Sequence, residues 1–178
     1  MNDPRWEKPA PLGYAASADA AHFVAAPLLA AGALALLGVV AADHDKFRLP
    51  EAAMLVLTLA LIALVASIQF GFQARQWLYS AADVTAWWGE QDLPEREEKL
   101  RRDQQADFER WRRHNHRAVT TYNGGVTLLA TGVAMCLAPP VNASAAGSVT
   151  RWLACALAGL AALAELTYLL TQTSWMRK

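Results

Sequence analysis

Charge is missing from most of this 178-residue chain, and where it is missing says more than how much there is. Residues 20–42, 52–74 and 118–137 contain no Asp, Glu, Lys or Arg, and residues 152–170 contain only Glu165. Helices of a water-soluble domain carry a polar face, so uncharged runs this long argue against one. Each run is about 20 residues, the length that crosses a bilayer core at about 1.5 Å per residue. Cysteine is nearly absent too. Cys136 and Cys155 are the two present, both inside apolar runs, which excludes a disulfide framework and suits small buried hydrophobes. No CxxC, HExxH, GxxxxGK(S/T), GxGxxG or GxSxG pattern occurs, so there is no sequence handle for a metal, phosphate or acyl site. The formal net charge is +0, leaving no basic field for nucleic acid. No cofactor, no metal and no nucleic-acid partner is expected.

What is present is apolar: 54% of residues are hydrophobic and 18% charged. The pattern predicts an all-α integral membrane protein, a four-transmembrane-helix bundle of two helical hairpins with a charged cytoplasmic arm between the second and third spans. The divisions are an N-terminal tail (1–19), a first hairpin (20–74), a charged segment (75–117), a second hairpin (118–171) and a C-terminal tail (172–178). Residues 1–19, rich in Pro and Ala, read as irregular, with Trp6 and Tyr14 able to rest at the membrane interface. The first run is too long, and begins too late, for a cleaved signal peptide. Pro27 lies about two turns into it, where a kink is tolerated. The Asn142-Ala143-Ser144 triplet fits a glycosylation pattern that arises by chance more often than not.

The central stretch holds the charge. Ser80 to Asp83 forms a capping box that opens a short helix through Trp87 and Trp88, with its indoles at headgroup level and Gly89 as its end. Asp92, Pro94 and Glu95 restart a helix as N-cap, first-turn proline and first-turn acid. From Glu95 no breaker interrupts it through Arg117 into the third run. Glu97–Arg101, Glu98–Arg102 and Glu109–Arg113 are favourable i,i+4 pairs. Leu100, Phe108 and Trp111 make only a thin apolar stripe, which predicts a helix projecting into water or packing lightly on a copy of itself. Of the 16 Lys and Arg residues, 13 fall on the side of the termini and this stretch, and 3 (Lys46, Arg48, Arg151) on the other. That asymmetry places both termini and the arm in the cytoplasm and the chain in the plasma membrane.

One intramembrane polar site stands out. Glu165 is the lone carboxylate in an apolar run, and such a group faces protein rather than lipid. Ala154, Ala158, Ala161 and Ala162 lie toward its side at helical spacing and allow close approach of a neighbour. At similar depth the other runs supply His22, Gln69, Gln73, Tyr122, Asn123 and Thr127, with Tyr168 one turn below Glu165. Glu165, Asn123, Gln69, Gln73, His22 and Tyr168 are therefore the candidate site, either as hydrogen-bonding glue or as the lining of a cytoplasm-facing cavity. Arg110, Arg112, Arg113 and Arg117, with Trp87 and Trp88, form a collar suited to lipid headgroups or a partner. His114 and His116 are two apart and share no helix face, which disfavours a metal pair. The expected function is a non-enzymatic membrane module that self-associates or docks another membrane protein through its arm. The alternative is an oligomeric channel or membrane-perturbing effector with Glu165 near the conduction path. A lipid-acting enzyme would have only the scattered His22, Glu165 and Tyr168 to use.

Overall fold

The computed structural model describes residues 6–89, 93–140 and 145–175, and among them every regular element is helical. Helix α1 runs Tyr14–Ala42 and is followed by a short 3-10 turn, His44–Lys46. Then come α2 (Pro50–Arg75), α3 (Ala81–Trp88), α4 (Leu93–Leu137) and α5 (Ala145–Trp175). Three helices are long and apolar enough to cross a membrane: Tyr14–Ala42, Pro50–Arg75 and, within α5, Gly147–Thr171. Their outward sides carry bare aliphatic residues such as Leu28, Leu34, Leu55, Ile62, Leu157 and Leu163. Exposed apolar surface on this scale has lipid for a solvent, and the protein is membrane-embedded. The fourth expected run, 118–137, is the second half of α4. It is absent from the three because Thr120, Thr121, Tyr122, Asn123 and Thr127 dilute its hydropathy.

The packing follows from spacing. On α2 the buried residues are Pro50, Ala53, Leu57, Ala60, Leu64, Ser67, Gly71 and Ala74, alternately three and four apart, which draws one straight seam along a helix. On α4 the buried positions Gln104, Trp111, Asn115, Ala118, Gly125 and Gly132 keep the same heptad rhythm. The two seams meet antiparallel. Leu57 sits in the gap at Gly132 and Leu64 in the gap at Gly125. A Cβ added at Gly132 would stand 2.6 Å from Leu57 Cδ2, and one at Gly125 would stand 2.8 Å from Leu64 Cγ. Helix α1 lies on α2, and α5 lies on α4, so the second half of α4 is held between α2 and α5.

Local chemistry sets the remaining boundaries. Ser80 accepts a hydrogen bond from the Asp83 amide, and the Asp83 carboxylate accepts one from the Ser80 amide, the expected reciprocal cap. Gly89 closes α3 at φ 76°, a backbone region that glycine enters without a Cβ penalty. Beyond it α4 runs unbroken for 45 residues, joining the charged stretch to the apolar run as expected. The Glu97–Arg101 and Glu98–Arg102 pairs form. Arg110 pairs with Asp107 at 2.9 Å. The Asp92 cap, the Asn142–Ser144 triplet and the terminal Arg177 and Lys178 lie outside the described residues.

Candidate functional site

Pro27 has no N–H to give to the carbonyl four residues back, and its ring crowds that turn. The helix responds just upstream, where Ala21–Ala25 forms a single π-helical turn. That turn carries His22, which is 2% exposed. Its Nδ1 is hydrogen-bonded to Ser67 Oγ at 2.8 Å, and its ring meets Tyr122 edge-on with centroids 6.0 Å apart. Gly71 makes room for it: a Cβ there would lie 2.9 Å from the Cβ of His22. Thus α1, α2 and α4 each give one polar side chain to a common level. The Nε2 of His22 is buried and has no hydrogen-bond partner among the described residues. An orphaned buried polar atom of this kind costs about 1–3 kcal/mol, so this histidine is a strained resident of an otherwise apolar layer.

The other intramembrane candidates are distributed differently. Gln69 and Gln73 fall between the seam positions of α2 and are exposed. Asn123 is half-buried, and its backbone carbonyl accepts a hydrogen bond from Thr127 Oγ1 at 3.0 Å. Glu165 is half-buried, in step with Cys155, Ala158 and Ala162 on the less exposed side of α5. Ala162 is buried, whereas Ala161 is exposed. Glu165 makes no hydrogen bond or ion pair to the described residues, and the side chain of Tyr168 lies outside them. Of the five whose side chains are described, His22 is the one drawn into a buried polar contact. Its partner Ser67 was readable in the sequence as the single hydroxyl on the buried row of α2, the signal that depth alone does not supply.

A second constellation joins the tail to the arm. Gln104, 3% exposed, donates from Nε2 to the Glu7 carbonyl and accepts from the Glu7 amide, both at 2.9 Å. Two turns along the helix Trp111 takes Tyr14 edge-on at 6.2 Å, and one turn further Asn115 donates to the Tyr14 hydroxyl at 3.1 Å. Arg101 lies over the Trp6 ring at 5.9 Å. Of the thin stripe, Trp111 is therefore packed against the chain's own tail, with Phe108 beside it at 4.9 Å. The segment after α2 braces the same helix: Tyr79 donates to Asp107 at 3.0 Å and Arg110 sits over Trp77 at 4.8 Å. Burial, then the carboxylate of Asp107, push the Tyr79 phenol up from 10.0 to about 12. Arg75 is paired with Asp19 at the foot of the brace.

No family model, curated protein or solved structure matches the chain. Its function has to be argued from geometry alone.

In the collar, Arg110 is committed to Asp107 and Trp77, whereas Arg112, Arg113 and Arg117 are exposed. Trp87 is 80% exposed on α3, and Trp88 lies under Arg96 at 4.9 Å. His116 is exposed and His114 half-buried, and among the described residues no group of three His, Cys, Asp or Glu side chains could hold a metal.

Proposed function

We propose that the protein is a non-enzymatic four-span membrane module whose cytoplasmic arm is the contact surface for a second copy or another membrane protein. The observation that carries this reading is the 45-residue α4, one uninterrupted helix gripped on two sides where it leaves the apolar layer. At 1.5 Å per residue it is roughly 68 Å long, about twice the thickness of a bilayer core. Half of it must stand in water. Its apolar half fits a fourth crossing despite modest hydropathy, because Thr121, Thr127 and Thr131 spend their hydroxyls on carbonyls of their own helix. Four crossings set both termini and the arm on one side, and the distribution of Lys and Arg makes that side the cytoplasm. With Trp111 packed against the tail, the arm offers its charged faces and the exposed Trp87 to a partner.

Light scattering of the detergent-solubilised particle tests this. The expected protein mass is a multiple of 19.3 kDa, falling to a single chain when exposed Lys99 and Arg113 are both replaced by Glu. A single-chain particle with no binding partner, or a mass unmoved by the charge reversal, removes the arm as the contact.

Glu165 supports a second reading, an oligomeric channel or membrane-perturbing effector. It is a carboxylate in an apolar helix, half-buried and with no described partner. Ion flux from liposomes that disappears in Glu165→Gln would establish it, and absence of flux at every protein-to-lipid ratio would dismiss it.

A further inference from the structure

A cavity of about 440 Å³ opens where the tail crosses the arm, directly below the apolar half of α4. Its floor is aromatic: Tyr14, Phe108 and Trp111. Its rim carries two cations, Lys8 from the tail and Arg112 from α4, with His116 beside them. Among the described residues, no Asp or Glu lines it. Elsewhere on the arm arginines are paired within the chain, Arg101 with Glu97, Arg102 with Glu98 and Arg110 with Asp107. Lys8, Arg112 and His116 have no such carboxylate partner among the described residues. Asn115 at the same place is 5% exposed and holds the Tyr14 hydroxyl, so the floor is a fixed surface rather than a chance gap between loose side chains.

We infer that this cavity binds one molecule of anionic phospholipid, its phosphate between Lys8 and Arg112 and the start of an acyl chain along Tyr14, Phe108 and Trp111. The volume is in the range of sites that enclose small ligands. An apolar floor beside uncompensated cations matches a molecule that is charged at one end and greasy at the other. The inference rests on the proposed function in one respect, that the junction of the arm and the apolar half of α4 lies at the membrane surface. A zwitterionic lipid gives back no net charge to the rim. Each cation close to a surface favours an anionic headgroup about fivefold.

Native mass spectrometry of the full chain, titrated with phosphatidylglycerol or phosphatidylcholine of equal chain length, reads the preference directly. The expected result is one tightly held phosphatidylglycerol, preferred at least fivefold over phosphatidylcholine. The preference disappears in Lys8→Gln/Arg112→Gln and survives in Lys46→Gln/Arg151→Gln, which removes the same charge elsewhere on the exposed surface. Equal loading of the two lipids overturns the proposal, as does a preference kept by the first variant or lost equally in the second. Displacement of the lipid by an excess of sn-glycerol 3-phosphate overturns the choice of lipid over a free phosphate. Labelling inverted membrane vesicles, whose cytoplasmic face is outward, with an impermeant maleimide separates this from failure of the underlying reading. In a Cys136→Ser/Cys155→Ser background, cysteine at Lys99 should react and cysteine at Thr127 should not. Reversal of that pattern sinks the membrane placement, whereas an intact pattern without lipid preference sinks the cavity proposal alone.

Discussion

Adjacent glycines on α4 provide an internally controlled test of how the helices are held together. Gly124 and Gly125 share a helix, a depth and a propensity, yet a Cβ at Gly124 meets nothing within 4 Å, whereas one at Gly125 lies 2.8 Å from Leu64 Cγ and 3.2 Å from the Leu64 backbone nitrogen. Alanine at either position gains up to about 1 kcal/mol of helix propensity. At Gly125 it also overpacks the seam, at a cost of about 1–3 kcal/mol. The upper half of that range applies, because rotating Leu64 cannot move its backbone nitrogen and α2 itself must shift. In lipid no hydrophobic drive compensates for a widened seam, since tails solvate the parted faces as well as leucine does. The propensity gain cancels between the two variants, so the difference between Gly124→Ala and Gly125→Ala isolates packing at about 2–3 kcal/mol. Gly132→Ala should fall between them, because its close atoms, 2.6 and 2.9 Å away, belong to the movable end of Leu57. Reversible unfolding by sodium dodecyl sulfate in mixed micelles, followed by far-UV circular dichroism, gives the ranking. Equal midpoints for Gly124→Ala and Gly125→Ala would refute the contact between α2 and α4.

Replacing Gln104 with Ala removes both hydrogen bonds to Glu7, worth about 1–3 kcal/mol together, and should make the bond after Glu7 sensitive to glutamyl endopeptidase while leaving helix content unchanged. Tyr79 should ionise near 12 in a spectrophotometric titration, and Asp107→Asn should bring that value down. Because the folded value is the higher one, the contribution of Tyr79 to stability is complete below 10.0 and is lost as the pH rises toward about 12, visible as a falling unfolding midpoint over that window. His44 is held above the ordinary histidine value by its hydrogen bond to Glu51 and then by Asp45, so its imidazole resonances should titrate late and move back in Glu51→Gln. Ser80→Ala should speed amide exchange at Asp83 roughly fivefold by removing the hydroxyl that accepts it, with α4 unaffected.

The features legible in the sequence were the ones decided locally. The reciprocal cap at Ser80 and Asp83, the stop at Gly89 and the continuity of α4 depend on neighbours a few residues away, and each formed as its residues predict. Long uncharged runs were equally readable for α1, α2 and α5, whose outer faces meet lipid and must be apolar. The second half of α4 was harder for a physical reason. It is flanked by α2 and α5, so it can carry threonines and an asparagine that a lipid-facing helix could not easily hold. Depth along the membrane brought His22, Gln69 and Gln73 to notice together, but depth says nothing about which way a side chain faces. The buried row from Ala53 through Ala74 leaves Gln69 and Gln73 exposed and turns Ser67 toward His22. The clamp between Glu7 and Gln104, 97 residues apart, has no local signature at all.

A helix without a hinge behaves as a lever. From its first residues to the foot of its apolar half, α4 extends roughly 36 Å at 1.5 Å per residue. A tilt of only about 10° within the bilayer therefore swings the tip sideways by roughly 6 Å, more than one helix radius. The tail and the segment after α2 are fastened part-way along this length, at Gln104 and Asp107, so both are carried with the motion. Membrane thickness, a lipid wedged at the pivot or a neighbouring subunit could each in this way set the reach of the charged tip.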